Sequence, residues 1–197
     1  MRRWAGPLAA AILTAGLAHW LTLSLAPAFI MDRAMAALEA RGVALHAFTT
    51  PQRVTATTQQ VVRSSPDLYY ALCRYDLGSP EEGAGVSAVV AVSMAKWDGY
   101  QSLSFFDANT NNFATIRGTG EQVRVELMQA DGGNGGVLPG STDDAGRYGR
   151  DVRVRSPTDT GIILIRRLAP SAEAFAKALE AGKLDDCQFG LALDKVY

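Results

Sequence analysis

Two hydrophobic periods divide the chain. From Trp4 to Met31 there is no Asp, Glu, Lys or Arg in 28 positions, and 21 of the first 31 residues are hydrophobic. A helix of that length measures about 42 Å, against a bilayer hydrocarbon core of about 30 Å, so it is long enough to span with tilt. Trp4 stands where an interface anchor would, and Pro7 falls in the first turns, where a missing amide proton costs little. The pattern predicts a membrane helix over 1–31. The stretch MDRAMAALEAR that follows predicts a juxtamembrane helix over 32–42, with Met31, Met35 and Leu38 on one face and Gly42 as its stop.

Beyond Gly42 the period falls to two. Val43, Leu45 and Ala47 alternate with polar or small neighbours. Further strands are predicted at Leu68–Leu77, Val86–Met94, Tyr100–Asp107, Asn112–Arg117, Gln122–Gln129, Val152–Arg155 and Gly161–Leu168. They are rich in Val, Ile, Tyr and Phe and are bounded by turn residues such as Gly78-Ser79-Pro80 and Gly118-Thr119-Gly120. Asp98-Gly99, between Trp97 and Tyr100, has the signature of a two-residue hairpin turn. One helix is expected late in the chain: Pro170 and Ser171 open it, Phe175, Ala178 and Leu179 share a face, and Gly182 ends it. Residues 130–150, with seven glycines, read as a long loop inside the domain. The expected fold is mainly β: an antiparallel β-sandwich or roll with one C-terminal helix, occupying 43–197 behind one N-terminal transmembrane helix.

Composition sharpens this division. Over all 197 residues the net charge is −1, with 48% hydrophobic and 20% charged residues. Removing 1–31 takes away only Arg2 and Arg3, leaving 17 basic and 20 acidic groups, a net −3 that gives no basic footprint for nucleic acid. Arg2, Arg3 and the terminal amine precede the span, whereas Asp32 and Arg33 after it cancel. The positive-inside rule keeps the N-terminus in the cytoplasm and exports the rest. A cleaved leader is the competing reading, with Ala26-Pro27-Ala28 as its site. The length of the apolar stretch and the proline inside that site favour a retained signal-anchor contacting the bilayer through residues 4–30.

Candidate chemistry is sparse. The exported part has one histidine, His46, and two cysteines, Cys73 and Cys187, with no metal-ligand spacing, so neither metal nor cofactor is expected. A Ser-His or Cys-His mechanism would have to use His46. Paired carboxylates are too common among twenty acids to decide anything. Asp143-Asp144 and Asp185-Asp186 read as exposed acidic pairs. Arg153, Arg155, Arg166 and Arg167 read as alternate solvent-facing arginines or as an anion patch. An even cysteine count in an exported domain suggests a Cys73–Cys187 disulfide, worth up to about 4–5 kcal/mol on the chain-entropy model, with two buried thiols as the alternative. Tyr69, Tyr75, Trp97 and Tyr100 are candidates for a sugar- or lipid-binding surface, or else core.

Three segments together carry a resemblance: SSPDLYYALCRYDL (64–77), GYQSLSFFDANTNNFATIRG (99–118) and VRSPTDTGIILIRRL (154–168). They resemble the bacterial family of domain of unknown function 1254, over roughly 45–185, in a short membrane-anchored form like that of alphaproteobacteria. The resemblance implies an immunoglobulin-like or related β-sandwich, and supplies no activity and no catalytic residues. It also implies a bacterial inner-membrane location with the main domain in the periplasm. Longer members carry a companion domain of unknown function 1214, which makes an envelope protein bearing that domain an expected partner. The functional expectation is a non-enzymatic, membrane-tethered periplasmic module of an envelope assembly. The alternative is a binder or hydrolase of envelope glycan or lipid.

Overall fold

In the computed structural model, residues 4–55, 64–78, 86–138 and 151–193 are described. The Ser79-Pro80 turn, the Asp143-Asp144 pair and most of the glycine-rich loop lie outside them.

The first element, α1 (Ala5–Ala40), is one continuous helix of 36 residues. It is about 54 Å long at 1.5 Å per residue. The apolar and juxtamembrane parts are therefore not separate elements. Pro27 sits inside the helix, and Thr14 and Thr22 return their hydroxyls to Ala10 O and Ala18 O. Such back-bonding satisfies a polar side chain without water. Met31 is only 5% exposed, with Ala34, Met35 and Leu38 half-buried on the same side. A lone helix does not cover a methionine so far, so this face lies against the rest of the chain. At the top, Arg74 pairs with Glu39 at 3.1 Å and donates through Nε to Val43 O at 3.0 Å, joining helix to domain.

The domain contains β1 (Leu68–Asp76), β2 (Val86–Met94), β3 (Gln101–Asp107), β4 (Asn112–Arg117), β5 (Val123–Gln129), β6 (Gly136–Val137), β7 (Asp151–Ser156) and β8 (Thr160–Leu168). Helix α2 (Ala172–Gly182) and strand β9 (Asp186–Leu193) complete it. Two sheets form, in the orders β1-β8-β3-β4 and β6-β7-β5-β2-β9. Strict alternation along β1, β5 and β8 sends every second residue into one shared core. Cys73, Tyr75, Val90, Leu103, Phe105, Ile116, Leu127, Val154, Ile163 and Ile165 are buried there. At about 1.5–3 kcal/mol for each large side chain, this burial is the main stabilising term.

Several expectations are corrected. The arrangement is not wholly antiparallel: β5 and β7 pair in parallel, with Val125 opposite Val152. This is possible because a long connection (130–150) replaces the hairpin that adjacent antiparallel strands would need. Asp98-Gly99 is not a hairpin turn, since β2 and β3 belong to different sheets. The hairpin lies one step later, between β3 and β4, where the Asp107 carboxylate accepts from the Asn109 and Asn111 amides at 2.8 Å each. Val43–Ala47 forms no named strand. Isolated bridges, Leu45 to Arg74 and, just beyond it, Thr49 to Leu72, run beside β1 in place of a strand, and His46 has φ 55°. Strands β6 and β9 were not expected; Gly136 and Gly190 dilute their apolar pattern. Helix α2 does start at Ser171, whose hydroxyl accepts from Ala174 N at 3.1 Å. It precedes the last strand rather than ending the domain.

Candidate functional site

The four aromatic candidates are not brought together. Tyr69 and Tyr75 lie at opposite ends of β1, opposite Arg167 and Gly161 of β8, and both face the core. The Tyr69 hydroxyl lies 2.7 Å from Thr50 Oγ1, with the Arg167 guanidinium over its ring at 5.6 Å and Phe175 of α2 beside it at 5.8 Å. Tyr75 donates to Phe106 O at 3.2 Å and shares a 2.8 Å hydrogen bond with Ser156 Oγ. Burial is the chief cause raising both phenols above their usual range, and for Tyr75 the rise is large. Two glycines make room for these hydroxyls. A Cβ on Gly161 would strike Tyr75 Oη and Phe106 O, and one on Gly182 would strike Tyr69 Oη. Trp97 packs half-buried against the core. Only Tyr100 is exposed, at 46%, and its hydroxyl donates to Ser102 Oγ at 3.1 Å. Tyr69 and Tyr75 are thus core tyrosines with internal partners, not a ligand platform.

The two cysteines do meet. Cys73 of β1 and Cys187 of β9 are joined by an S–S bond of 2.08 Å with their Cα atoms 6.7 Å apart. The bond passes from one sheet to the other through the core, where both residues are buried.

A second cross-sheet link was missed. Arg167, at the end of β8, and Asp185, just before β9, form a two-fold pair: Nη2 to Oδ1 at 2.6 Å and Nη1 to Oδ2 at 2.7 Å. Neither side chain has any solvent exposure. Ala95, which follows β2, donates its amide to Asp185 Oδ1 at 2.9 Å, and its carbonyl accepts from Arg167 Nη2 at 3.4 Å. Strand parity held the clue. Arg166 and Arg167 are adjacent, so they point to opposite faces of the sheet; Arg167 faces the core, while half-buried Arg166 reaches Ser104 Oγ on the other face at 3.3 Å. Gln101 faces Arg167 across the β3–β8 pair. It is 1% exposed, and its carboxamide has no hydrogen-bond partner among the described residues.

His46 serves structure too. Its Nε2 lies 3.0 Å from the Asp76 amide and 2.9 Å from the Asp76 carbonyl, and its ring stacks on Phe189 at 5.2 Å. No Ser or Cys Oγ or Sγ is bonded to it among these contacts. Among the described residues, no three His, Cys, Asp or Glu side chains gather as a metal site.

Among the described residues, a groove of about 640 Å³ lies on the outward face of the five-stranded sheet. Its floor is small, Ala91 and Ser93 of β2. Its walls carry Arg124 and Glu126 of β5, Arg153 of β7 and Asp186 of β9. Cross-strand register builds it: Asp186 stands opposite Ser93, Ser93 opposite Arg124, and Glu126 opposite Arg153. Arg124 Nη2 donates to Gln122 Oε1 at 3.4 Å. Alternating charges over a small-residue floor suit a polar, hydrogen-bonding surface.

The class these features define is a mainly β domain of two sheets, closed across its core by a disulfide and a buried ion pair, behind a long apolar N-terminal helix. Within that class the chain belongs to the family described as protein of unknown function (DUF1254), whose model matches residues 46–184. Comparison with curated proteins finds no match. Among solved structures, the VPA0106 protein from Vibrio parahaemolyticus is similar, with 16% identity and a TM-score of 0.49, over 85% of this chain and 38% of that one. A putative uncharacterized protein from Burkholderia cenocepacia shows 11% identity and a TM-score of 0.41, over 78% of this chain and 36% of that one. The chain therefore spans little more than a third of either relative.

Proposed function

We propose that this protein is a membrane-tethered accessory module: α1 is a retained anchor, the N-terminus is cytoplasmic, and a sandwich-type domain on the periplasmic side docks within an envelope assembly. The observation that carries this reading is the unbroken helix from Ala5 to Ala40, fixed to the domain by the Glu39–Arg74 pair. A flexible leader has no need of such a joint. The Cys73–Cys187 bond agrees with an oxidising compartment. The groove over Ala91 and Ser93 is the surface offered to the partner, with an envelope protein bearing the companion domain of unknown function 1214 as the first candidate. Binding of an envelope glycan or lipid by this chain would fall to the same groove, because Tyr69 and Tyr75 are enclosed.

The test is a photo-reactive residue in place of Glu126 in the full chain in its own membrane. The expected result is a covalent adduct with one recurrent envelope protein, lost in Arg124→Glu. A chain without a protein adduct that leaves the membrane as a monomer would overturn the reading. A reporter at the C-terminus that works only in the periplasm should be active; cytoplasmic activity would reverse the topology.

A further inference from the structure

Beta-strand parity leaves one part of the inner surface uncovered. On β9, Cys187 points into the core, and Phe189 and Leu191 point the same way. Yet Phe189 is 45% and Leu191 62% exposed. Among the described residues, the segment after α1 is what stands across from Phe189. His46 of that segment stacks on Phe189, and Leu45 beside it is 47% exposed. The eight residues of β9 carry no charge after Asp186. An apolar edge strand of this kind is one that proteins normally cover.

The position of the patch identifies what covers it. Leu45 bridges to Arg74, and Arg74 holds both Glu39 and the Val43 carbonyl at the top of α1. The patch is therefore fixed at the root of the apolar helix, on the side of the domain from which that helix leaves. Met31 is the last residue before the first charge after the apolar stretch, Asp32, which puts it at the hydrocarbon boundary. It is already covered there by the rest of the chain. Arg33 and Arg41 lie on the same stretch, suitably placed for lipid phosphates.

We infer that Leu45, Phe189 and Leu191 form a second membrane contact, seated in the interfacial zone of the bilayer, so that the domain lies against the membrane surface instead of standing free on its helix. This rests on the reading of α1 as a retained anchor. Aromatic and aliphatic side chains beside a few cations are the composition that an interfacial seat selects. It also fixes which way the groove on the outward face is presented.

The experiment uses the full chain in nanodiscs of phosphatidylethanolamine and phosphatidylglycerol, with p-benzoylphenylalanine replacing Leu191, Leu17 or Tyr100 in separate variants. After illumination, adducts are read by mass spectrometry. Leu191 is expected to label lipid, Leu17 of α1 to label lipid, and exposed Tyr100, at the far end of β3 from the β3–β4 hairpin, to stay free of lipid. Lipid adducts at Leu17 with none at Leu191, or a Leu191 adduct to a second copy of the chain, would overturn the inference alone. No lipid adduct at Leu17 would overturn the anchor itself. Leu191 is exposed, so replacing it leaves the core packing intact, and retention of the Cys73–Cys187 bond on a non-reducing gel checks the fold of each variant.

Discussion

Arg167 and Asp185 meet in two parallel hydrogen bonds inside the protein, at 2.6 and 2.7 Å, with no water access to either side chain. A buried charge pair is not in itself a gain in stability, because both ions must be stripped of water. Its importance lies in what depends on it. It joins the end of β8 to the start of β9 and holds the Ala95 peptide by both its amide and its carbonyl. Removing one charge leaves the other stranded. Arg167→Met or Asp185→Leu alone should cost about 3–5 kcal/mol, measured by chemical unfolding of the domain. The double variant Arg167→Met/Asp185→Leu should recover much of that loss. Additive losses in the double variant would show that the pair is not energetically coupled.

The disulfide should act on the unfolded chain more than on the folded one. Cys73 and Cys187 are 114 residues apart, so their bond removes a large loop-closure freedom. Replacing both by Ala should lower stability by about 2–4 kcal/mol while leaving the strand content in circular dichroism unchanged. Thiol labelling of the native chain should fail without reductant and proceed after unfolding with it.

Gly182→Ala reverses the usual sign. In a helix, Ala ordinarily gains about 0.5–1 kcal/mol over Gly. Here the added methyl meets the Tyr69 hydroxyl, so Gly182→Ala should destabilise by about 1–3 kcal/mol. Tyr69→Phe removes the obstructing oxygen and leaves the ring carbon at 3.0 Å, so in that background Gly182→Ala should cost clearly less. Equal cost in both backgrounds would refute the contact.

Alkali should unfold the domain through its buried phenols. Tyr75 and Tyr69 have folded pKa values above the ordinary 10.0, mainly through burial. Between the unfolded and folded values the native state holds more protons than the unfolded one. Stability is therefore constant below about pH 10 from these groups, and falls as pH rises beyond it. Tyr75→Phe should flatten this fall, even though it weakens the protein at neutral pH by losing the Phe106 and Ser156 hydrogen bonds. Phenolate absorbance against pH, compared with unfolding midpoints, provides the check. Two ordinary titrations near pH 10 with no linked unfolding would exclude it.

Strand positions were legible where alternation was strong. Val86–Met94 and Asn112–Arg117 coincide with β2 and β4 to the residue. Sheet assignment was not legible, because the sequence from Trp97 to Tyr100 is compatible with either a hairpin or a passage between sheets. What chooses is the pairing of β3 with β8, some 60 residues away, which no local pattern encodes. The Arg167–Asp185 pair was hidden for a related reason. Each residue has a same-type neighbour, Arg166 and Asp186, that does face outward. The groove was invisible because its floor consists of Ala and Ser, residues with no chemical signal of their own, and only register places charges around them.

The order of β9 in the chain sets a timetable. Cys187 and Asp185 both belong to the final part of the domain, whereas their partners Cys73 and Arg167 are made earlier. Until the last strand emerges, β2 has an open edge, the guanidinium of Arg167 has no counter-ion, and the thiol of Cys73 is unspent. Both cross-sheet locks therefore close last, and nearly together. Before that moment the nascent chain is a substrate for thiol oxidants, and β2 is open to chaperones that bind sheet edges; afterwards the thiols are spent and the β2 edge is closed.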